Sequence, residues 1–322
     1  MRGYLSGAWP LVATVTVLVG LPLFIGDSRY LMTLAISMLV VTGYAVAFNL
    51  LFGRSGQLFL CLGALAGVAA YGSVLLADVA GVPLPAAIAA GVALSGGIGG
   101  VFSWVAVRRR LGVIFVGIVT LAFSLVFTNL LLGGRALTGG ETGLLVEAAA
   151  GSWLRDRVPA YYLLLAVLVG YLAIDRWLDG SWLGWAFRAL KDDPVAAELA
   201  GVDVVRARVI AGAVGSAMLG LMGALFAVHD GFISPTGFDF GDVDVRVLVV
   251  LAVGGIGSSL GPVVGAVVVT AVDELLRPLG QLRLTIYGIV LIVIFLRFRQ
   301  GLVPALEGLV RRARARRAQP TA

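Results

Sequence analysis

The side chains that most often perform catalysis or bind metal ions are scarce in this chain of 322 residues. It has one cysteine, Cys61, and one histidine, His229, which is a poor basis for a metal site or a serine–histidine pair. The single lysine, Lys191, precedes two aspartates and a proline instead of the serine or threonine of a phosphate-binding loop. We therefore expect no enzyme, no cofactor and no metal, and any ATP hydrolysis must occur in another protein.

The segment 179–208 carries the most informative pattern of polar residues. Asp193 can cap the N-terminus of a helix, Pro194 suits its first position, and Gly201 suits the residue just after its end. This pattern predicts a helix of about seven residues, roughly 10 Å long. A short helix flanked by charged residues is a shape that another protein can bind. An ordinary interfacial helix between two membrane spans would fit the pattern equally well.

Polar residues inside the long apolar segments are few and mostly uncharged. Asn49 and Gln57 flank the connection Gly53–Gly56, and Thr120 lies in a later apolar segment. They are candidates for a solute pathway, although hydrogen bonds between packed helices explain them equally well. Carriers coupled to protons or sodium usually keep ionisable groups within the membrane, so their scarcity here argues against a self-powered pump.

The elements that must position these residues are membrane helices. Sixty per cent of the residues are hydrophobic, 13% are charged and the mean hydropathy is +1.01, which nearly excludes a water-soluble protein. Apolar segments near 20 residues long can cross the hydrocarbon core. Eight full spans are predicted at Trp9–Gly26, Tyr30–Phe52, Gln57–Ala77, Val82–Val107, Leu111–Leu132, Ala160–Leu178, Val209–Val228 and Leu284–Phe298.

A ninth apolar segment, Val247–Val272, contains a glycine-rich interruption. Residues 254–262 include four glycines and a proline, which cost a helix roughly 7 kcal/mol relative to alanine. We expect a re-entrant pair of half-helices, and we take Gly254, Gly255 and Gly257 in the turn as candidate pathway residues. A single kinked span is the alternative.

The basic residues indicate which side of the membrane each segment faces. If the N-terminus is cytoplasmic and the ninth segment is re-entrant, 17 of the 24 basic residues lie inside, whereas a complete crossing would divide them 12 to 12. The first arrangement agrees with the positive-inside rule. The prediction is an all-α polytopic membrane protein with both termini cytoplasmic.

Three further regions follow from this topology. The permease domain is predicted at 1–303, with the segment 179–208 on the cytoplasmic side. An external loop at 133–159, with a short surface helix at Leu144–Ala150, could dock a partner or simply cover the protein. The basic tail at 304–322 should be attracted to anionic lipid, and we expect no nucleic-acid partner.

Seven groups of residues form ordered motifs along the chain: Phe187–Asp203, Asn49–Gly53 with Gly56–Leu58, Val119–Phe123, Leu137–Gly140, Ala224–Ala227, Gly231–Pro235 and Val253–Ala266. They resemble the LivM-type permease subunits of ABC importers for branched-chain amino acids. The resemblance covers about residues 30 to 302, and the chain departs from the family's pattern at Phe59–Leu62, where smaller or more polar residues are usual.

The resemblance implies a permease subunit of the bacterial cytoplasmic membrane that forms half of a pathway for branched-chain or related amino acids. It implies a LivH-like second permease, two ABC ATPase subunits and an extracytoplasmic binding protein as partners. A similar permease for urea, an amide, an aromatic amino acid or a sugar stays open, as does an ATP-independent carrier or channel. The residues that it implies for coupling to the ATPases are Arg188, Asp193, Pro194, Ala197, Glu198 and Gly201.

Overall fold

The structure, a computed structural model, describes residues 8–25, 28–147, 153–279 and 301–305, and a few single positions between 282 and 292. Helices dominate these ranges, and two short strands, β1 (Leu144–Leu145) and β2 (Phe232–Ile233), pair antiparallel. The helices are α1 (Ala8–Ile25), α2 (Arg29–Phe48), α3 (Leu62–Asp78), α4 (Leu84–Arg108), α5 (Val113–Gly133), α6 (Arg135–Thr138), α7 (Arg157–Gly180), α8 (Trp182–Asp192), α9 (Pro194–Leu199), α10 (Val204–Asp230), α11 (Val245–Gly254) and α12 (Gly261–Leu276).

Among the described residues, five helices are long and apolar enough to cross a membrane. They are α4, α5, α7, α10 and α2, which continues as a π-helical turn from Asn49 to Arg54. The chain is therefore an all-α membrane protein, as predicted. The predicted span Leu284–Phe298 and the basic tail fall almost entirely outside the described residues. The number of spans and the side of each terminus stay predictions.

Helix α10 packs against α3 and α4 through small residues. A Cβ atom on Gly212 would lie 2.7 Å from the carbonyl oxygen of Gly99 in α4, and one on Gly223 would lie 2.7 Å from that of Ala66 in α3. Both distances are shorter than a carbon–oxygen contact allows. Close backbone approach supplies the dispersion energy that holds helices together in lipid, which explains why glycines recur along these apolar segments.

The prediction of a helical span over Gln57–Ala77 is wrong in its first five residues, because α3 begins only at Leu62. Residues 57–61 have no regular secondary structure, and the backbone N–H of Leu60 donates to the hydroxyl of Thr120 at 2.9 Å. A side chain from another helix thus satisfies a backbone group that a helix would otherwise pair internally. Composition alone does not reveal such a break.

A carboxylate from a distant segment caps the N-terminus of α3. Asp244, which is 1% exposed, accepts hydrogen bonds from the backbone N–H groups of Leu62 at 2.6 Å and Gly63 at 3.0 Å. The first N–H groups of a helix have no partner within it, and a negative charge at this end is favoured by the helix dipole. Asp244 therefore stabilises the late start of α3.

The ninth segment is interrupted at its glycines, as predicted. Helix α11 ends at Gly254, α12 begins at Gly261, and the two helices fold back on each other. A Cβ atom on Gly254 would collide with the backbone of Gly261, and one on Gly265 would collide with that of Val250. We call residues 245–276 the hairpin and residues 255–260 its tip.

The hairpin runs along α2 for most of that helix's length. Its tip contacts Asn49 and Gly53 at the end of α2. Glu274, near the end of the second arm, and Arg277, just after that arm, contact Tyr30 at the start of α2. Helix α12 has 16 residues and is therefore about 24 Å long. The arms are longer than the predicted half-helices. Arg246 and Asp273, near the two ends of the hairpin, are 3.8 Å apart, and the re-entrant arrangement stays a prediction.

The predicted surface helix at Leu144–Ala150 is wrong at its first two residues, which form β1. Leu144 and Leu145 pair with Ile233 and Phe232, and residues 148–152 lie outside the described part of the chain. The backbone groups of β1 pair with those of β2, which follows α10, and so they do not require the hydrogen bonds of a helix.

Candidate functional site

The segment 179–208 contains two helices, α8 and α9, where the sequence predicted one. Ser181 caps α8, since its hydroxyl accepts a hydrogen bond from the N–H of Gly184 at 3.2 Å. Phe187 and Leu190, three residues apart, are buried on one face of this helix. A serine cap followed by apolar residues at helical spacing is the signal by which α8 could have been found.

Helix α9 confirms the prediction from its capping residues. Asp193 accepts hydrogen bonds from the N–H groups of Val195 at 2.8 Å and Ala196 at 3.1 Å, and Pro194 takes the first helical position. Gly201 follows the helix with φ of +85°, a conformation that suits glycine. The helix has six residues instead of seven. No finding assigns these residues to ATPase coupling, so that role stays a prediction.

The two sides of α9 differ in exposure. Ala197 is buried against the protein, so it cannot contact a partner from this helix. The side chains of Val195 and Leu199, four residues apart, are 66% and 86% exposed, and Glu198 is exposed beside them. Residues four apart share one side of a helix. We call Val195, Glu198 and Leu199 the α9 face.

Helix α8 connects this region to the end of α2. The ammonium group of Lys191 donates a hydrogen bond to the carbonyl oxygen of Gly53 at 2.7 Å. A Cβ atom on Gly257, in the hairpin tip, would lie 3.4 Å from the same nitrogen. Lys191 therefore lies where α8, α2 and the tip meet.

The tip itself is held by Asn49, which is 1% exposed. The side-chain oxygen of Asn49 accepts a hydrogen bond from the N–H of Gly257 at 2.8 Å, and its side-chain nitrogen donates to the carbonyl oxygen of Ser258 at 3.1 Å. Gly255 and Gly257 have φ values of +119° and +83°. The tip thus combines backbone conformations typical of glycine with a two-sided amide contact.

A charged cluster lies beside the tip. The guanidinium of Arg54 contacts Asp175 at 2.5 and 2.6 Å and Asp179 at 2.5 Å, and it donates to the hydroxyl of Ser259 in the tip at 3.0 Å. Asp179 also pairs with Arg188 of α8 at 3.7 Å. The cluster connects the ends of α2 and α7 with α8 and the tip. Asp175, an acid near the end of an apolar run, is the sequence signal for it.

Arg188 is half exposed, and this exposure leaves it available to a partner. Its guanidinium lies 4.7 Å from the ring centroid of Trp185, and it donates to the carbonyl oxygen of Asp179 at 3.2 Å. A guanidinium over an aromatic face is held in one orientation by cation–π attraction.

The predicted pathway residues separate into two groups. Asn49, Gly254, Gly255 and Gly257 come together at the hairpin tip. Gln57 donates from its side chain to the carbonyl oxygen of Arg208 at 3.0 Å, and Thr120 binds Leu60 as described above. Gln57 and Thr120 therefore join helices to the segment before α3. Within the described ranges, no group of three His, Cys, Asp or Glu side chains could hold a metal ion.

Comparisons with known proteins give this arrangement its context. The family model described as the branched-chain amino acid transport system permease component matches residues 30–296. The chain is also similar to the high-affinity branched-chain amino acid transport system permease protein LivM of Salmonella typhimurium and of Escherichia coli. It is 27% identical to each, over 91% of this chain and 74% of the relative.

No solved structure matches the chain. The family model spans far more than half of the sequence, and the tip, the charged cluster and the α9 face all lie within the matched residues. This chain belongs to the branched-chain amino acid transport system permease family.

Proposed function

We propose that this chain is one of two permease subunits of an importer for branched-chain amino acids, driven by separate ATPase subunits. The observation that carries the proposal is the α9 face. A helix of six residues presents two large apolar side chains to its surroundings while its capping residues fix its position.

The α9 face is better suited to a protein than to lipid. Asp192, Asp193 and Glu198 are exposed around it, and charged groups are expensive to place in hydrocarbon. Burying a side chain the size of Val195 or Leu199 contributes about 1.5–3 kcal/mol. A groove on an ATPase subunit that accepts both side chains would gain about 3–6 kcal/mol from their burial.

The contacts behind α9 provide a route by which a docked motor moves the pathway. Helices α8 and α9 pack against each other. Lys191 holds α8 to Gly53, and Arg188 connects α8 to the cluster of Arg54 and Asp179. The first connection reaches the hairpin tip because Gly53 lies against Gly257, and the second because Arg54 donates to Ser259. A displacement of α9 would thus shift the tip relative to α2 and change which side of the membrane the pathway faces.

A permease chain that is driven by separate ATPase subunits requires further partners. We infer a LivH-like second permease that completes the pathway, two ATPase subunits, and an extracytoplasmic receptor, with the assembly in the cytoplasmic membrane. The basic tail at 304–322 would bind anionic lipid on the same side as the ATPases.

The proposal is tested by reconstitution. The tagged chain is co-expressed with candidate ATPase, second-permease and receptor subunits, and the complex is placed in proteoliposomes. Uptake of labelled leucine should require receptor and MgATP. Uptake by the lone chain without ATP would support a carrier or channel instead. Uptake of urea, an amide, an aromatic amino acid or a sugar in place of leucine would show that the importer carries that solute.

Variants of the α9 face sharpen this test. Val195→Asp and Leu199→Asp should each abolish copurification of the ATPase subunits, because an unpaired carboxylate would be buried at the interface. Leu137→Asp is the matched control, since Leu137 is 61% exposed in α6, outside the segment 179–208. It should retain the ATPases. Equal retention by all three variants would contradict docking at α9.

A further inference from the structure

A cavity lies at the base of the hairpin, away from its tip. It has a volume of about 700 Å³ and is bounded by α2, by the end of α10 and by both arms of the hairpin. This volume falls within the range of about 300–1,000 Å³ that is common for small-molecule sites.

Three charged side chains line this cavity. Arg246 lies in the first turn of α11, Asp242 lies four residues before it, and Asp273 lies near the end of α12. The guanidinium of Arg246 is 3.8 Å from the carboxylate of Asp273, and their side chains are 38% and 28% exposed. A long, partly exposed ion pair is weak, so a ligand with both charges can replace it at little cost.

The remaining wall is mostly apolar. Val40 and Val41 of α2, Phe226 of α10, and Val247 and Val249 of α11 line it. In all, six valines and three aromatic rings line the cavity, and the hydroxyl groups of Ser37 and Tyr44 are its uncharged polar side-chain groups. This surface fits an aliphatic group better than a polar one. Cation, anion and apolar wall thus occur together in one concave site.

We propose that this cavity binds the amino acid during import. Arg246 binds the α-carboxylate, Asp242 and Asp273 bind the α-ammonium group, and the valines with Phe226 surround the branched side chain. This inference rests on the proposed function and adds the chemistry by which a zwitterion with an aliphatic side chain is recognised. A second permease subunit would close the open side of the site.

Cysteine protection in the purified full-length chain tests this site directly. Cys61, the one natural cysteine, is 0% exposed, whereas Val249 is 8% exposed and lines the cavity, so a cysteine in place of Val249 is the thiol that a reagent reaches through the cavity. Labelling of Val249→Cys by N-ethylmaleimide should slow several-fold in millimolar L-leucine. Leucinamide, which lacks the carboxylate, and 4-methylpentanoate, which lacks the ammonium group, should each protect much less.

Three further variants make the result specific. In Val249→Cys combined with Arg246→Gln, the protection by leucine should disappear. Ile114→Cys, which is 73% exposed on α5 outside the cavity, should be labelled at the same rate with and without leucine. Val41→Cys replaces Val249→Cys if the latter does not elute as a single folded species.

The outcomes separate this inference from the proposed function. Absence of leucine protection at the cavity cysteine, or protection that survives Arg246→Gln, would overturn the cavity as the amino acid site. ATP-dependent leucine uptake by the reconstituted wild-type importer would still support the proposed function in that case. If leucine protects the cavity cysteine but the reconstituted importer shows no ATP-dependent leucine uptake, the importer proposal is contradicted and the binding site is retained.

Discussion

The ammonium group of Lys191 lies 2.7 Å from the carbonyl oxygen of Gly53, and this hydrogen bond joins α8 to the end of α2. On its other side, Gly53 lies against the hairpin tip, where a Cβ atom on Gly257 would be 3.0 Å from the same carbonyl oxygen. The segment 179–208 is therefore connected to the tip through two adjacent contacts, Lys191 with Gly53 and Gly53 with Gly257. A movement of α8 has a short, direct path to the glycine turn.

Replacing Lys191 tests this connection. Lys191→Met removes a charged donor, and such a hydrogen bond contributes about 1.5–3 kcal/mol. We expect ATP-dependent leucine uptake to fall by roughly tenfold, since 1.4 kcal/mol corresponds to a factor of ten. Copurification of the ATPases should be unaffected, because the α9 face is intact. Uptake is measured in proteoliposomes at equal amounts of complex.

Arg206→Met is the control for Lys191→Met. Arg206 is an exposed basic residue at the start of α10, in the same segment 179–208. Its replacement should leave uptake near the wild-type rate. Equal uptake by Lys191→Met and Arg206→Met would show that the contact with Gly53 does not carry the motion.

The pair of Arg54 and Asp175 should stabilise the fold. Asp175 is 4% exposed, and removing one partner of a buried ion pair costs about 3–5 kcal/mol. Asp175→Asn should therefore lower the unfolding temperature of the chain in detergent by roughly 10 °C. A thiol-reactive dye reports this unfolding, since the buried Cys61 becomes accessible only when the fold opens.

Asp179→Asn provides the comparison. Asp179 contacts the same guanidinium, but its side chain is 42% exposed, and an exposed pair contributes about 0–1 kcal/mol. Its unfolding temperature should drop much less. A larger loss for Asp179→Asn than for Asp175→Asn would invalidate our assignment of Asp175 as the structural partner.

Gly53 is a position where a single methyl group should disturb the tip. A Cβ atom there would lie 2.8 Å from the backbone nitrogen of Gly257 and would overlap the side chain of Asn49. Gly53→Ala should displace the tip and reduce uptake by more than tenfold, whereas the ATPases should still copurify. The uptake assay and a pull-down of the ATPases measure the two effects.

Gly170→Ala is the matched control for Gly53→Ala. Gly170 lies within α7, and a Cβ atom there meets nothing within 4 Å. Alanine is favoured over glycine in a helix by about 1 kcal/mol, so this variant should be at least as stable as the wild type. Normal uptake by Gly53→Ala would show that the close approach at the tip is unimportant.

Gly201 should be sensitive to backbone conformation and insensitive to side-chain size. Its φ is +85°, yet a Cβ atom there meets nothing within 4 Å. Gly201→Ala should cost about 1–2 kcal/mol and weaken ATPase copurification, and Gly201→Asn should weaken it less, because asparagine tolerates this conformation better. Identical loss in both variants would point to a lost contact instead of a strained backbone.

Local chemistry made parts of this structure predictable from the sequence. The caps of α9 depend on Asp193, Pro194 and Gly201, which lie within eight positions of one another. The interruption at Gly254–Pro262 depends equally on adjacent residues. In both cases the determining atoms belong to one short segment, so residue types and spacing contain the information.

Other features depend on contacts between distant segments, and the sequence did not reveal them. The late start of α3 is fixed by Asp244, which is more than 180 positions away. The inward orientation of Ala197 depends on where α9 packs, and the grouping of Asn49 with Gly257 depends on how the hairpin folds along α2. The polarity of Asn49, Gln57 and Thr120 identified them as candidates, but it did not show which of them lie together in the fold.

Site-directed crosslinking tests docking at the α9 face most directly. In the assembled importer, Leu199→Cys should form a product with an ATPase subunit in the presence of a short bifunctional maleimide, and Leu137→Cys should not. This pattern would place the ATPase on the α9 face. An assembled importer in which Leu199→Cys yields no ATPase product while Leu137→Cys does would contradict the account.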